Sequence, residues 1–307
     1  MCKIIENKKP FKNLIDVMMH FSDKETCKSY LAEMRWSNGI TCPHCSHYKI
    51  YTMKNNYKCA GCRKQFSVTK GTIFENSPIP LQKWFAAIWL ITSHKKGISS
   101  LQLHRDIGVT QKTAWFMLHR LRNCFGIEDE KLENTVEADE TYVGGKNKDR
   151  HESKKIKGTQ GRSTKDKAAV LGMVERGGKV KAVKVPDVSA ETLTTEILSN
   201  VKDGAKVYSD EWVGYNGLDA IYKHAIVNHS AKEYVNGDVH TDTIEGFWSL
   251  LKRGIIGIYH FTSKKHLQKY LNAFAYRYNT RHFECSQRFS NMLAMSNVRL
   301  TYKELIN

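Results

Sequence analysis

Residues 136–145 read VEADETYVGG: strand-forming side chains carrying three acidic residues, closed by a glycine pair. Strand alternation sets Glu137 and Asp139 on one face. Two further stretches hold acidic residues in related settings. Residues 205–212, AKVYSDEW, read as a strand ending near Asp210. Residues 240–254, HTDTIEGFWSLLKRG, read as the start of a helix that carries Glu245. Lys252 follows Glu245 by seven residues, two helical turns, so both project from nearly the same face.

Outward from these stretches the texture is regular. TVEADETYVG, AAVLGMVERG and VKAVKVPDV read as three strands, 191–201 as a helix, AKVYSD as a fourth strand and HAIVNHS as a fifth. Helices follow at 242–253 and 264–280. Strands followed by alternating helix and strand predict a mixed α/β sheet with helices packed on it. This domain is expected to span 131–290, leaving 291–307 as a C-terminal tail. The segment 146–167 has nine basic residues, three acidic ones and no aliphatic residue except Ile156. That composition cannot bury a core and reads as a mobile loop, either merely solvated or an arm for a DNA backbone.

The N-terminal part differs. Residues 1–36 read as an amphipathic helical segment, with Leu14, Val17, Met18 and Phe21 in one stripe and Tyr30, Leu31 and Met34 in another. Residues 37–75 hold a cysteine module with short strand-like runs at 49–53, 57–58 and 65–68. After SPIP at 77–80, Leu81, Trp84, Phe85, Ile88 and Trp89 fall at helical spacing and read as core. Within 76–130, two helices are expected at 99–106 and 111–122, separated by Gly108, with Thr110 as N-cap of the second. The second turns Ala114, Met117, Leu118 and Leu121 inward and leaves Gln111, Lys112, Thr113, Arg120 and Arg122 polar. This is the helix-turn-helix pattern, whose second helix enters the major groove; a plain helical hairpin has the same signature. No internal repeat is visible.

The chain has 307 residues, 41% hydrophobic, with a formal charge of +17. The longest apolar run, 84–91, is far too short for a bilayer span. The N-terminus MCKIIENKKPFKNLI lacks the apolar region of a signal peptide, and a cytoplasmic location is expected. A pI near 9.4 suggests a polyanionic partner, although basic proteins without such a partner are common. Of eight cysteines, Cys2, Cys27, Cys124 and Cys285 are scattered. The other four form CPHC at 42–45 and CAGC at 59–62, thirteen residues apart. Two such turns close a tetrahedron of thiolates, so Cys42, Cys45, Cys59 and Cys62 are expected to bind a structural Zn²⁺. Lys49, Lys54, Lys58, Arg63 and Lys64 can offset its charge. His44 and His47 are possible substitutes, made unnecessary by two complete pairs.

Convergent carboxylates beside a DNA-reading module suit phosphoryl transfer with two Mg²⁺ or Mn²⁺ ions. Asp139, Asp210 and Glu245 are the candidate ligands. Each has a plainer reading. One of Glu137, Asp139 and Glu140 can be solvated, and Asp210 can cap a turn beside an equally acidic Glu211. Glu245 can be the third residue of a capping box with Asp242 as N-cap. Trp248, one turn on, can stack on an unpaired base or pack in a core.

ADETYVGGK, YSDEWVGY and HTDTIEGFWSLLKRGI resemble the three catalytic blocks of bacterial insertion-sequence DDE transposases, in the zinc-ribbon-bearing, ISXO-like group. The order of ribbon, helix-turn-helix and catalytic domain is similar too, so the resemblance spans nearly the whole chain. It implies an RNase H-like catalytic fold and strand cleavage and transfer at element ends. Asp139, Asp210 and Glu245 become Mg²⁺ ligands, and Lys252, like its neighbour Arg253, becomes a DNA contact. His240 touches DNA or orders the helix. The partners implied are double-stranded DNA and a second copy of the chain, since two ends must be held together. One position departs from the pattern: the group carries Asn where this chain has Asp242. Two other readings remain open, a DNA-binding regulator with an inactive RNase H-like domain and a structure-specific nuclease.

Overall fold

The alternating strand and helix patterns of the C-terminal half fold into one five-stranded sheet in the computed structural model, which describes residues 11–54, 56–126, 130–145, 151–157, 163–228, 235 and 237–307. The chain divides into two units, 1–125 with 282–307, and 126–281.

In the second unit β4 (Thr135–Val143) is the central strand. It pairs antiparallel with β5 (Ala168–Glu175), which pairs antiparallel with β6 (Val180–Val185). On its other side β4 runs parallel to β7 (Lys206–Asp210), and β7 runs parallel to β8 (Lys223–Val227). The order is thus β6-β5-β4-β7-β8. Helix α6 (Ala190–Asn200) covers one face, burying Leu193 and Ile197 against Val136, Ala138, Leu171 and Val207. Helices α7 (Asp242–Gly254) and α8 (Leu267–Asn279) cover the other, burying Ile244, Phe247, Leu251, Leu271 and Phe274 against Val170, Val174 and Ala182. Coverage on both faces explains why AAVLGMV of β5 is apolar without alternation. A mixed sheet flanked by helices is consistent with an RNase H-like fold.

In the first unit, α1 (Leu14–His20) and α2 (Lys24–Arg35) precede a three-stranded antiparallel sheet of β1 (Ile50–Thr52), β2 (Tyr57–Cys59) and β3 (Gln65–Phe66). Then come α3 (Leu81–Ser93), α4 (Ser100–Ile107) and α5 (Gln111–Arg122). Gly108 ends α4 in the left-handed region at φ 61° and Thr110 caps α5, as the pattern predicts, while Ser99, expected as the first helical residue, is the cap of α4. The chain returns to this unit with α9 (Cys285–Ala294) and α10 (Tyr302–Ile306).

The boundaries expected at 36, 75 and 290 therefore do not separate compact units. Phe289 is fully buried among Phe21, Tyr30 and Phe85, its ring centroid 5.8 Å from that of Phe85. The Arg35 guanidinium donates to the Val68 carbonyl at 2.6 Å and ties α2 to the end of the cysteine module. Residues 291–307 are likewise no free tail, because Leu293, Leu300 and Leu305 are buried. Of the expected mobile loop, 146–150 and 158–162 lie outside the described residues. Between them Glu152–Lys154 form one 3₁₀ turn. Among the described residues no helix is long and apolar enough to cross a membrane.

Candidate active site and zinc centre

The last paired residues of β4 and β7 are Glu137 and Tyr208. Two positions further along each parallel strand stand Asp139 and Asp210. Val136 and Val207 point into the α6-side core, so by alternation this acidic pair belongs to the α7 side. One oxygen from each of Asp139, Asp210 and Glu140 lies within 4.8 Å of the others. The cluster sits just past the end of the parallel β4–β7 pairing, at the carboxyl end of β7 and midway along β4.

Each carboxylate is held by a specific donor. The Trp248 indole Nε1 donates to Asp139 Oδ2 at 2.8 Å, and the Glu140 amide donates to Oδ1 at 2.8 Å. The Tyr215 hydroxyl, fully buried, donates to Glu140 Oε2 at 3.0 Å. The Trp212 amide donates to Asp210 Oδ1 at 3.1 Å, so Asp210 both caps a turn and joins the cluster. Burial, then the Glu140 charge and, further off, that of Asp210 push the Asp139 carboxyl up to about 7, against the opposing pull of the Trp248 bond. Burial and the same three acids hold the Tyr215 hydroxyl well above its usual range. Crowded hard oxygens that resist ionisation fit a divalent cation of the Mg²⁺ type.

Glu140 was not assigned from sequence, because alternation turns it away from Asp139. Beyond Glu137, however, β4 has no partner on its β7 side, and carboxylates from both faces reach that open edge. Glu211 is exposed and outside the cluster.

Trp248 packs in the core and anchors Asp139; it is 4% exposed. It reaches Asp139 across Gly172, the residue opposite Asp139 in β5. A Cβ at Gly172 would stand 2.4 Å from Trp248 Cζ2. The Gly172→Ala change is expected to displace the indole, cost about 1–3 kcal/mol by overpacking and weaken divalent-cation binding about 10–100-fold by loosening Asp139. Thermal melting and a Mg²⁺ titration on the same preparation check both; an unchanged affinity would mean the indole does not position Asp139.

Glu137, fully buried, is the true cap of α7. Its Oε2 accepts from the amides of Thr243 (2.9 Å) and Ile244 (3.1 Å), and its Oε1 from Arg176 Nε (2.7 Å) and Thr243 Oγ1 (2.8 Å). This corrects the capping box read at Asp242 and Glu245. The N-cap is Thr241, Asp242 is the first helical residue, and the carboxylate that serves the helix end comes from the sheet. It also corrects any solvated reading of Glu137. Asp242 is exposed, 3.8 Å from His240 Nδ1. The Asp242→Asn change is therefore expected to leave the fold intact, costing about 0.3–1 kcal/mol of helix-dipole stabilisation; a large fall in melting temperature would contradict this.

Glu245 lies in the first turn of α7, exposed, with Thr241 Oγ1 donating to it at 3.4 Å. The structure brings Asp139 and Asp210 together but does not include Glu245 in their 4.8 Å group. Lys252 and Arg253 are exposed in the last turn of the same helix. His240 is partly exposed, 3.5 Å from Glu137, with its carbonyl held by Arg176.

Of the polar positions on α5, Gln111 and Lys112 are exposed and Thr113 is half-buried in the cap. Arg120 and Arg122 are corrections: they are 7% and 1% exposed and face no groove. Arg120 donates to the carbonyls of Leu300, Ile73 and Glu75 and lies over the Phe116 ring. Its stem and fork fill a core position that a polarity pattern assigns to solvent.

In the cysteine module, Cys42 and Cys62 Sγ lie 3.6 Å apart, as do Cys45 and Cys59. A disulfide needs about 2.05 Å, whereas the edge of a Zn–S₄ tetrahedron with bonds of about 2.3 Å is about 3.8 Å. The amides of His44 and Cys62 point at Cys42 and Cys59 Sγ. The residue after each pair, Ser46 and Arg63, has φ of 57° and 59°, so the two turns are built alike. All four thiols group together without a histidine, and they fit Zn²⁺.

One unit thus carries a thiol tetrahedron and the other an oxygen-lined sheet edge. Residues 22–65 match the transposase zinc-ribbon domain, and residues 131–279 match the ISXO2-like transposase domain. An uncharacterised protein in transposable element ISH50 of Halobacterium salinarum is 32% identical over 271 residues, 84% of this chain and 91% of that protein. An uncharacterised transposase-like protein of Haemophilus influenzae is 33% identical over 134 residues, 42% of this chain and 94% of that protein. No solved structure matches. The chain belongs to the ISXO2-like insertion-sequence transposases.

Proposed function

We propose that this transposase cleaves DNA strands at the ends of its insertion sequence and joins them to target DNA. The observation that carries the reading is the Asp139–Asp210 pair at the open edge of β4, crowded enough to raise Asp139 to about 7. Asp139 and Asp210 hold the ions, Glu140 shares the cluster, and Glu245 adds a ligand from α7. Two divalent ions, Mg²⁺ or Mn²⁺, supply charge neutralisation at the attacking and leaving oxygens. Lys252, Arg253 and His240 take the phosphates beside the scissile bond. Gln111, Lys112 and Thr113 at the start of α5 face the major groove, and the Zn²⁺-bound ribbon stiffens that module. Hydrolysis of a phosphodiester at the element end leaves a 3′-OH. That hydroxyl then displaces a 3′-oxygen at a target phosphate, one ester exchanged for another with no ATP required. Holding two ends calls for at least a dimer.

The test is strand cleavage and joining on a labelled duplex bearing the element's own end, with Mg²⁺ or Mn²⁺. Asp210→Ala is expected to lower the rate by about 10³-fold or more, the loss of several kcal/mol of charge stabilisation. Tight end-specific binding with no cleavage by the wild type would instead identify a DNA-binding regulator.

A further inference from the structure

Helix α7 does not stop at Gly254. It runs on through a π turn, Ile255–Tyr259, a form that appears mostly as single turns at functional sites. Two of the largest exposed apolar side chains of the second unit lie in and just after this turn: Ile256 at 71% and Phe261 at 72%. They stand on a firm base. Tyr259 packs on Tyr270 with ring centroids 4.8 Å apart, and Lys264 Nζ is bound to the carbonyl of Thr164 at 2.9 Å. Between them His260 takes a positive φ of 58°, a strained conformation for a residue with a side chain, and its Nδ1 bonds to the Ile256 carbonyl. A strained turn that holds two large apolar groups in water is costly unless something covers them.

Charge says what does. From 246 to 283 the chain has seven Lys and Arg residues and no Asp or Glu. Lys252, Arg253, Lys264 and Lys265 are exposed around the apolar pair. An apolar protein partner would not need this one-signed frame; a polyphosphate backbone does. The helix supplies the register. At 100° per residue, Glu245, Lys252 and Ile256 fall within about 40° of one another on one exposed line. Ile256 lies about 12 Å along the axis from Trp248, some three to four nucleotide steps of a DNA strand.

We propose that Ile256 and Phe261 form an apolar wedge that enters the DNA a few steps from the scissile phosphate and unstacks its bases, while Lys252, Arg253, Lys264 and Lys265 hold the flanking phosphates. Apolar side chains inserted at a base step unstack and kink a duplex. This rests on the DNA-cleaving reading above. Its gain is access: an unstacked end lets the strand bend into the carboxylate edge.

The test uses the full-length protein and a duplex of the element's end with 2-aminopurine at each of the terminal base steps in turn. An Asp210→Ala background keeps the strand intact. Binding is expected to raise the fluorescence at one or two steps, and the added Ile256→Ser and Phe261→Ser changes to abolish the rise. Both side chains are exposed, so thermal melting should not fall, and duplex affinity, carried by phosphate contacts, should stay within about threefold. In the Asp210 protein, the double change should slow cleavage of a paired end at least about tenfold. An end already mismatched at those steps should restore the rate. No fluorescence rise with Ile256 and Phe261 present, or a rise that survives their replacement, overturns the wedge. Cleavage that survives Asp210→Ala overturns the metal site instead and leaves the fluorescence result to decide the wedge.

Discussion

The Asp139→Asn variant is expected to melt higher than the wild type at pH 8 in metal-free buffer, and to cut no DNA. Burial, Glu140 and Asp210 raise the Asp139 carboxyl from 3.8 to about 7. A folded-state value above the unfolded one means stability that is fully present below about pH 3.8 and lost as pH rises through about 7. Three units correspond to about 4 kcal/mol. A carboxamide carries no charge and escapes that loss, but its NH₂ is a donor only, so its single oxygen accepts from either the Glu140 amide or Trp248 Nε1 and not from both. One hydrogen bond is forfeited, about 1 kcal/mol. The net gain is about 2–3 kcal/mol, or about 5–10 °C for a unit of this size. The same logic sets the metal response. Mg²⁺ should raise the wild-type melting temperature more at pH 8 than at pH 6, where a proton must first leave, and should leave the variant unmoved. Scanning calorimetry at the two pH values decides it. A variant that melts lower than the wild type at pH 8 would show that the acids do not repel one another as described.

Loss of zinc is expected to have the largest effect on the first unit. The cysteine module has three short strands, and its buried core is Cys42, Cys59 and Phe66, with Ile40, Ile50 and Cys62 partly buried against it and Trp36 and Tyr57 packed at 5.0 Å. So small a core does not fold unaided. Zinc binding to such modules is worth about 10–16 kcal/mol in apparent terms. Cys59→Ser or a strong chelator should strip the ion, measured by elemental analysis, and unfold 42–66, measured by exposure of Tyr57 and Trp36 to quencher. A stripped protein whose tryptophan fluorescence and melting are unchanged would mean the ribbon stands on its core alone.

Particular residues show where sequence reasoning reached and where it stopped. The five strands and their helices were legible because one-dimensional periodicity records which side chains meet a core. The cysteine pairs were legible because chelation imposes spacing along the chain. Asp139 was legible as an acid within a strand and Asp210 as an acid at a strand's end. Arg120 was misread because polarity along a helix says nothing of distant carbonyls, and its partners at Ile73 and Leu300 lie 47 and 180 residues away. The capping box failed for a similar reason. Asp242 has the right local spacing, but Glu137, 106 residues before the Thr243 amide that it accepts from, occupies the helix end. Phe289 was assigned to the wrong unit because an apolar residue does not declare which core it joins.

What the sequence by itself determined is everything that depends on neighbours along the chain: the strand and helix periods, the cap at Thr110, the thiol spacing and the excess of positive charge. Tertiary structure alone decided which groups share a volume. It set Glu140 beside Asp139 at an unpaired strand edge, laid Trp248 across Gly172, and made Glu137, readable along the chain as a solvated acid, a buried helix cap. The physical reason is that hydrogen bonding and charge repulsion act over a few ångströms of space, and the residues that meet there are set by packing of both sheet faces rather than by distance along the chain.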